Sequence, residues 1–254
     1  TATRDSSTNK SRQYYYAESI AESSYNTDTN YQDKTTLTFT PDDNSTYLII
    51  ASWLMKENSV SYQSKGKLTR TTGTAKDFNE LIYQPKDATD YISGGAIGID
   101  TFGSSPGSQT YKIQYATNST SGTASIKDAK IVALKLSAAD KYAESEERST
   151  TNASVEGADK TTLTFTPDTA GDYIIIATAT ADGASTSYDF GVLLNIDGTE
   201  YSRVNIETQT TPNRYLWGIV KKVNLTASSH TIKIRYATEN VSYAAGIAHA
   251  RIVA

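Results

Sequence analysis

Residues 33–42 read DKTTLTFTPD, and residues 159–168 repeat the same ten residues. Within the first copy Leu37 and Phe39 alternate with threonines, and the second copy keeps the same alternation. Apolar residues that recur with a period of two are typical of a strand with one buried face. The Thr-Pro-Asp at the end of each copy predicts a turn. The stretch therefore predicts one strand-and-turn unit that is used twice.

The duplication extends well beyond these ten residues. Four further segments recur: YAES at 16–19 and 142–145, an apolar run at 47–51 and 173–177, YKIQYAT (111–117) with IKIRYAT (232–238), and AKIVAL (129–134) with ARIVA (250–254). Self-similarity of this length indicates two copies of one domain, and a period of about 120 residues suits a domain with its own core. We expect an N-terminal extension at 1–15, a first domain at 16–137 and a second at 141–254.

Other segments add strands to each copy. The apolar runs at 47–53 and 173–179 predict central strands, and Asp197-Gly198 between two strand-like runs predicts a hairpin. The segments 16–24 and 141–149 are crowded with serine, so we favour a strand over a helix there. Each copy then holds about seven or eight strands. The predicted fold class is all-β, with two tandem antiparallel β-sandwich domains of jelly-roll type.

Composition excludes several functional classes. The chain has 254 residues and a net charge of −4, which argues against binding to a phosphate backbone. No apolar run approaches the ~20 residues that span a bilayer. The absence of cysteine excludes thiol catalysis and cysteine-bound zinc. Because the chain starts at Thr1 rather than Met, we expect a mature product or a fragment.

The repeated phrase also carries a family resemblance. T-L-T-F-T-P, followed by Y-I-I-I-A and later by T-I-K-I-x-Y, resembles jelly-roll repeats of phage and other virion surface proteins. It is also similar to carbohydrate-binding-module-like sandwiches of microbial surface proteins. The resemblance covers most of each copy and implies the fold and an extracellular location, at a cell surface or on a virion. Because its motifs are framework residues, it implies no functional residue.

Three groups of residues are candidates for catalysis or metal binding: the histidines His230 and His249, the carboxylates Glu144, Glu146 and Glu147, and the turn aspartates Asp42, Asp43, Asp168 and Asp172. The histidines are not duplicated, and ordinary surface or edge positions explain them better than a two-histidine metal site. Glu144 and Glu146 share one strand face, which implies no cleft for a glycosidase pair. The aspartates suit turn caps better than calcium ligands. We therefore expect no enzyme, no cofactor and no metal site.

Two further sets of residues suggest contact with glycans. Six Asn-x-Ser/Thr sequons lie mostly at predicted turns or tails and are possible glycosylation sites in a host with the machinery: Asn9, Asn44, Asn118, Asn152, Asn224 and Asn240. Trp53, Trp217, Tyr14 and Tyr15 are candidates for stacking on a sugar ring. Trp53 aligns with Ala179, and Trp217 aligns roughly with Ser93. Neither tryptophan is shared, so we expect both to lie outside the common core; packing between domains is the alternative.

These observations favour an architectural role. The sequence predicts a non-catalytic structural subunit of an extracellular assembly, either a virion surface or fibre protein or a cell-surface filament. Self-association would use edge strands and the N-terminal tail, because exposed edges readily pair with other chains. The expected partners are copies of the chain or other subunits of a fibre or shell, with glycans as a second class and no nucleic acid or membrane span. A glycan-binding adhesion module is the alternative, and a hydrolase a weaker third.

Overall fold

The computed structural model describes residues 13–26, 30–154, 156–208 and 213–254. The regular structure in these ranges is entirely β-strand, which confirms the predicted all-β class. The chain divides into two compact units, Thr1–Ser137 and Ala138–Ala254. Most of the expected extension at 1–15 lies outside the described residues, and the first strand of the described part begins at Tyr14.

Each unit contributes nine described strands. In the first unit they are β1 (Tyr14–Ser19), β2 (Ser23–Tyr25), β3 (Gln32–Phe39), β4 (Thr46–Glu57), β5 (Ser64–Arg70), β6 (Lys76–Tyr83), β7 (Ile92–Thr101), β8 (Gln109–Thr117) and β9 (Ala124–Lys135). In the second unit they are β10 (Tyr142–Ser145), β11 (Ser149–Thr151), β12 (Ala158–Phe165), β13 (Gly171–Gly183), β14 (Asp189–Ile196), β15 (Thr199–Glu207), β16 (Tyr215–Leu225), β17 (His230–Thr238) and β18 (Ala245–Val253).

The two units share one topology. In the first, one sheet has the order β1-β9-β4-β7 with β2 also on β9, and the other has the order β3-β8-β5-β6. In the second, the orders are β10-β18-β13-β16 with β11 on β18, and β12-β17-β14-β15. Neighbouring strands run antiparallel, and alternate residues of the two sheets form each core. This confirms two antiparallel β-sandwiches produced by an internal duplication.

The repeated stretch owes its identity to packing. It forms β3, where Leu37 and Phe39 are buried, and β12, where Leu163 and Phe165 are buried. Lys34 is the extra residue of a β-bulge, and its Nζ donates to the Ala21 carbonyl and, at 3.0 Å, to Ser23 Oγ. Lys160 occupies the equivalent bulge and donates to the Glu147 carbonyl and to Ser149 Oγ. Burial lowers the pKa of both lysines. These contacts hold the sandwich together, so the ten identical residues serve the framework.

A second bulge explains why the last strand of each copy alternates poorly. Asp128 on β9 and His249 on β18 both have positive φ, at 51° and 49°. Their N–H groups donate to the carbonyls of Ile20 and Glu146, each at 3.1 Å. The bulge thus divides the first strand of each unit into two short pieces, β1 with β2 and β10 with β11. This division accounts for nine strands in place of the predicted seven or eight.

The two tryptophans occupy one equivalent site in the two cores. Trp53 on β4 lies opposite Gly94 on β7, whereas Trp217 on β16 lies opposite Ala179 on β13. Strand β4 corresponds to β13, and β7 corresponds to β16. Each unit therefore has one indole at this pair of positions, on the first strand of the pair in the first unit and on the second strand in the second unit. Trp53 is 2% exposed and Trp217 is 4% exposed. The expectation that both lie outside the common core is therefore wrong, and Trp217 corresponds to Gly94 rather than to Ser93.

The predicted hairpin at Asp197-Gly198 is confirmed. These residues join β14 to β15 with φ angles of 50° and 83°, as a two-residue turn with two left-handed residues requires. Asp197 also organises the start of β17, because Oδ1 accepts the Thr231 N–H at 2.7 Å and Oδ2 lies 2.6 Å from His230 Nδ1. The hydrogen bond to Asp197 raises the pKa of His230 above its usual value.

This pair predicts a pH dependence of the second unit. A raised folded-state pKa stabilises the fold fully below the unfolded value of about 6.5, and the contribution is lost as pH rises through the folded-state pKa. The pair lies near the surface, so we expect a fall in Tm of only about 2 °C across that window. His230→Gln should abolish this slope in calorimetric scans between pH 5.5 and 8.5. An unchanged slope in the variant would assign the pH dependence to other groups.

Candidate functional site: a polar groove on the second unit

A groove of about 340 Å³ lies on the sheet β12-β17-β14-β15. Phe190, Val192 and Leu194 of β14 point into the core, so Gly191 lies on the opposite, outer face of this sheet. The groove is formed by three adjacent strands and the residue that follows β17. Its lining residues are Asp189, Gly191, Arg203, Asn205, Ala237, Thr238 and Glu239.

Two small residues form the floor of the groove. Gly191 pairs with Ala237 on β17 and with Asn205 on β15. A Cβ atom on Gly191 would lie 2.8 Å from Asn205 Oδ1, which is closer than such contacts allow. Asn205 can therefore lean over β14 only because position 191 has no side chain.

The first unit fills the same positions with large side chains. Lys65 on β5 pairs with Ala116 and Ile82, which makes it the counterpart of Gly191. Tyr31 is the counterpart of Gly157; its hydroxyl donates to Glu80, and Lys67 Nζ lies 4.4 Å from its ring centroid. The second unit thus carries glycine at two positions where the first carries lysine and tyrosine.

Backbone geometry also requires glycine at position 157. Gly157 has φ of +67°, and a Cβ there would lie 2.5 Å from the Tyr236 carbonyl oxygen. A tyrosine such as Tyr31 therefore cannot occupy this position of the second unit without a backbone change. The absence of a large side chain on this face therefore follows from the backbone conformation at Gly157.

One end of the groove carries two carboxylates. The Asp189 N–H donates to Glu239 Oε2 at 3.0 Å, and the Glu239 N–H donates to the Asp189 carbonyl at 2.9 Å. These reciprocal bonds hold the start of β14 and the end of β17 together. The Asp189 carboxylate lines the groove beside the fixed Glu239.

The other side of the groove carries a guanidinium and an amide. Arg203 donates to Glu200 through Nε at 3.0 Å and through Nη2 at 2.8 Å, which fixes the plane of the guanidinium. Hydrogen bonds from Arg203 also lower the pKa of Glu200. Asn205 contributes a side-chain amide, which can both donate and accept.

Further ion pairs continue along the same face. Arg235 Nε lies 2.8 Å from Asp159 Oδ1, and Lys233 Nζ lies 2.6 Å from Asp159 Oδ2. Burial tends to raise the pKa of Asp159, but the hydrogen bond from Lys233 holds it below its usual range. Arg235 also donates to the Gly157 carbonyl at 3.0 Å. Opposite charges alternate across the face, so it presents many polar groups without one dominant sign.

The aromatic residues proposed for sugar stacking do not form a platform. Trp53 and Trp217 are buried in the two cores, so their rings have no accessible face for a sugar. Tyr15 stacks on Phe39 with the ring centroids 4.4 Å apart, and only Tyr14, at 37%, is exposed. The structure does not bring these side chains together at one surface.

The sequons differ in their surroundings. Asn9 lies outside the described residues. The Nδ2 atoms of three sequons already donate hydrogen bonds: Asn118 to Gln63 Oε1 at 3.4 Å, Asn152 to the Val241 carbonyl at 2.7 Å, and Asn224 to Asp172 Oδ1 at 3.1 Å. Asn240 accepts the Ser242 N–H at 2.9 Å. Asn44 lies in an exposed turn.

The carboxylate cluster of β10 binds a buried arginine. Arg251 is 1% exposed; its Nη2 donates to Glu146 Oε1 at 2.5 Å, and its Nε lies 3.5 Å from Glu144 Oε2. His249 Nδ1 lies 2.9 Å from Glu146 Oε2. The cluster thus has a structural role in holding β10 against β18.

Three of the four turn aspartates also have protein partners. Asp42 Oδ2 lies 2.6 Å from Lys135 Nζ, Asp172 Oδ2 lies 2.7 Å from Lys222 Nζ, and Asp43 accepts the Ser105 N–H at 2.7 Å. Among the residues that the structure describes, no three His, Cys, Asp or Glu side chains are grouped to hold a metal ion. Those residues also form no helix long and apolar enough to cross a membrane.

Sequence reasoning missed the groove, although a signal for it was present. Lys65 and Gly191, like Tyr31 and Gly157, are separated by 126 positions, the same offset as the repeated stretch. A large residue replaced by glycine at two aligned positions marks a face that has changed between the copies. Only the strand pairing shows that both positions lie on the same sheet of the sandwich.

Comparison with known proteins gives structural matches alone. No protein-family model matches the chain, and no curated protein matches it. A chain from the Sulfolobus Turreted Icosahedral Virus matches with 10% identity and a TM-score of 0.35, over 97% of this chain and 61% of that one. A triple jelly-roll turret protein of an archaeal virus matches with 12% identity and a TM-score of 0.32, over 94% and 60%.

A third match is the tandem CBM22-1–CBM22-2 domain of Xyn10C from Paenibacillus barcinonensis. It has 8% identity and a TM-score of 0.26, and covers 94% of this chain and 93% of that one. These are the two classes of protein that the repeated motif resembles. The chain spans about three fifths of the length of both virus proteins. Scores this low carry no information about function, which has to come from the residues of this chain.

Proposed function

We propose that this protein is a non-catalytic structural subunit of an extracellular assembly, either a virion surface or fibre protein or a cell-surface filament. The observation that carries the proposal is an exposed aliphatic surface on the second unit. Val220 on β16 is 68% exposed and Ile174 on β13 is 51% exposed. Single exposed apolar residues are ordinary, but several of them on one sheet face favour contact with another protein.

Apolar residues form a row across the whole sheet, with Tyr142 and Val220 exposed at its two ends and Val253 buried within it. Tyr142 of β10 pairs with Val253 of β18, Val253 pairs with Ile176 of β13, and Ile176 pairs with Val220 of β16. The intervening residues of β13 point into the core, so this row lies on the outer face. Covering it with a second copy would remove apolar surface from water.

The row ends at an edge strand. The strand order places β16 at the edge of its sheet, and it is eleven residues long. A long edge strand with exposed aliphatic side chains is a template for pairing with another chain. Face and edge therefore support self-association at the same place. The N-terminal tail remains a second proposed contact. Most of it lies outside the described residues.

Val220→Lys tests this contact. We expect the substitution to weaken self-association at least tenfold, because a charge would be placed in the apolar contact at the edge. Multi-angle light scattering over a concentration series measures the effect. Val60→Lys is the matched control, since Val60 is 49% exposed on the first unit. Equal effects of the two variants, or no association of the unmodified chain at high concentration, would contradict the proposal.

The alternative of a glycan-binding adhesion module loses its proposed residues. It expected Trp53, Trp217 or several tyrosines to cluster on one exposed surface, and both indoles are enclosed in the cores. An adhesion function would therefore need a binding surface made of other residues.

A further inference from the structure

We propose that the polar groove on the second unit binds a neutral, hydroxyl-rich ligand, that is, a short stretch of glycan chain. The groups that would contact it are the carboxylates of Asp189 and Glu239, the Arg203 guanidinium and the Asn205 amide. This inference goes beyond the proposed assembly role and uses a different sheet of the same unit.

The chemistry of the lining favours hydroxyl groups. A hydroxyl both donates and accepts, so it can donate to a carboxylate and accept from a guanidinium or an amide. Asp189 and Glu239 supply acceptors, Arg203 supplies donors, and Asn205 supplies one of each. Neighbouring hydroxyls on a sugar ring match planar groups of this kind, which present two polar atoms side by side.

Charge selects against anionic ligands. Asp189 and Glu239 at one end would repel an anion, and the charge of Arg203 is already balanced by Glu200 at 2.8 Å, so the guanidinium offers little compensation. A neutral ligand avoids this repulsion and still matches the donors and acceptors. An apolar ligand would displace water from these polar groups without replacing its hydrogen bonds.

The size and floor of the groove fit a small part of a chain. A volume of about 340 Å³ lies at the lower end of the ~300–1,000 Å³ usual for small-ligand sites. Gly191 and Ala237 carry no long side chain, so a ring could approach the sheet beside the Asn205 amide, which leans over Gly191. Glycine inside a strand weakens it, and often marks a place where a ligand or another backbone approaches closely. Gly191 fits that description on the outer face.

Comparison of the two units gives independent support. The first unit carries Lys65 in place of Gly191 and Ile82 in place of Asn205. It therefore lacks both the open floor and the amide, although its topology is the same. These differences lie on one face, whereas the framework stretch is identical, which is expected if one copy has a binding role that the other lacks.

The test uses the full chain and four neutral tetrasaccharides as probes: cellotetraose, xylotetraose, maltotetraose and mannotetraose. Amide chemical shifts are followed by NMR as each probe is added up to millimolar concentration. We expect at least one probe to shift Gly191, Asn205 and Thr238 in a saturable manner. Heparin and a tetralysine peptide, as charged probes, are expected to leave these amides unshifted.

The matched variant is the double substitution G191K/N205I, which installs the pair found in the first unit. It avoids the close contact that a side chain at position 191 would make with Asn205. We expect it to lower affinity at least tenfold while Tm stays within a few degrees. Asn205→Ala, which only removes the amide, should weaken binding about threefold to tenfold.

Several results would overturn the proposal. They are binding of none of the four tetrasaccharides, unchanged affinity in a folded G191K/N205I variant, and saturable binding of heparin or tetralysine alone at the groove. Val220→Lys, which tests self-association, should leave tetrasaccharide binding unchanged, and G191K/N205I should leave self-association unchanged. The two proposals can therefore fail independently.

Discussion

Gly94→Ala is expected to destabilise the first unit by about 3 kcal/mol, at the upper end of the range for overpacked cores. A Cβ at this position would lie 2.1 Å from Nε1 and 2.2 Å from Cε2 of Trp53. The indole is buried and cannot swing into solvent, so either the ring or β7 has to move. Denaturant unfolding followed by Trp53 fluorescence in a Trp217→Phe background measures the effect.

The control for this substitution is Gly107→Ala. A Cβ on Gly107 would meet no atom within 4 Å, so a change below about 0.5 kcal/mol is expected. Equal effects at the two positions would show that Trp53 does not set the requirement for glycine at position 94.

The second unit shows which substitutions should restore packing around the indole in the first. At the three equivalent positions it has Ala179, Val192 and Trp217, where the first unit has Trp53, Gly66 and Gly94. A Cβ on Gly66 would also contact the indole, at 2.9 Å from Nε1. The triple substitution W53A/G66V/G94W therefore places all three residues of the second unit's site in the first unit.

Trp53→Ala alone should cost about 3–5 kcal/mol because it leaves a large cavity. The triple variant should be more stable than Trp53→Ala, since the indole returns from the opposite strand. If the changes in the free energy of unfolding caused by the three substitutions were simply additive, the two sites would not be equivalent.

Arg251→Ala is expected to destabilise the second unit by about 3–5 kcal/mol, the cost of breaking a buried ion pair by removing one partner. Arg251 holds Glu146 at 2.5 Å and lies 3.5 Å from Glu144, and its alkyl chain is enclosed as well. Unfolding monitored by Trp217 fluorescence in a Trp53→Phe background reports this unit.

Lys130→Ala is the matched control, because Lys130 occupies the equivalent place on β9 and is partly exposed. We expect it to cost less than about 1 kcal/mol. Arg251→Met separates the two contributions, since it restores much of the packing and none of the charge. A loss below 1 kcal/mol for Arg251→Ala would show that the cluster around Glu146 is not stabilising.

The sequence predicted the framework because the framework repeats. Leu37 and Phe39 alternate with threonines in a pattern that only a half-buried strand explains, and the copy at 159–168 identified the duplication. The hairpin at Asp197-Gly198 was predictable because its two left-handed residues restrict the choice of side chain. These features depend on local geometry, which can be predicted from short stretches of sequence.

The placement of the tryptophans was not predictable from the sequence because it depends on register. The turn between β14 and β15 has two residues, whereas Thr71–Ala75 lie between β5 and β6. This difference shifts the alignment by three positions from β6 onward, so that Trp217 falls opposite Ala179 as Gly94 falls opposite Trp53. The error of one residue that paired Trp217 with Ser93 reversed the face on which it lay.

The groove escaped prediction for a related reason. Gly191 and Asn205 are fourteen positions apart in the sequence and become neighbours only through the pairing of β14 with β15. Aromatic residues are the more obvious sequence signal for sugar binding, but Trp53 and Trp217 fill the cores. Their burial follows from the size of the indole, which each sandwich uses to close the same gap.

The proposed assembly is tested most directly by electron microscopy of native particles, combined with their mass from light scattering. The account predicts filaments or shells in which Val220 and Ile174 lie in a contact that buries more than about 1,000 Å² between copies. A population of single, unassociated chains in native material, with this face still exposed to solvent, would contradict it.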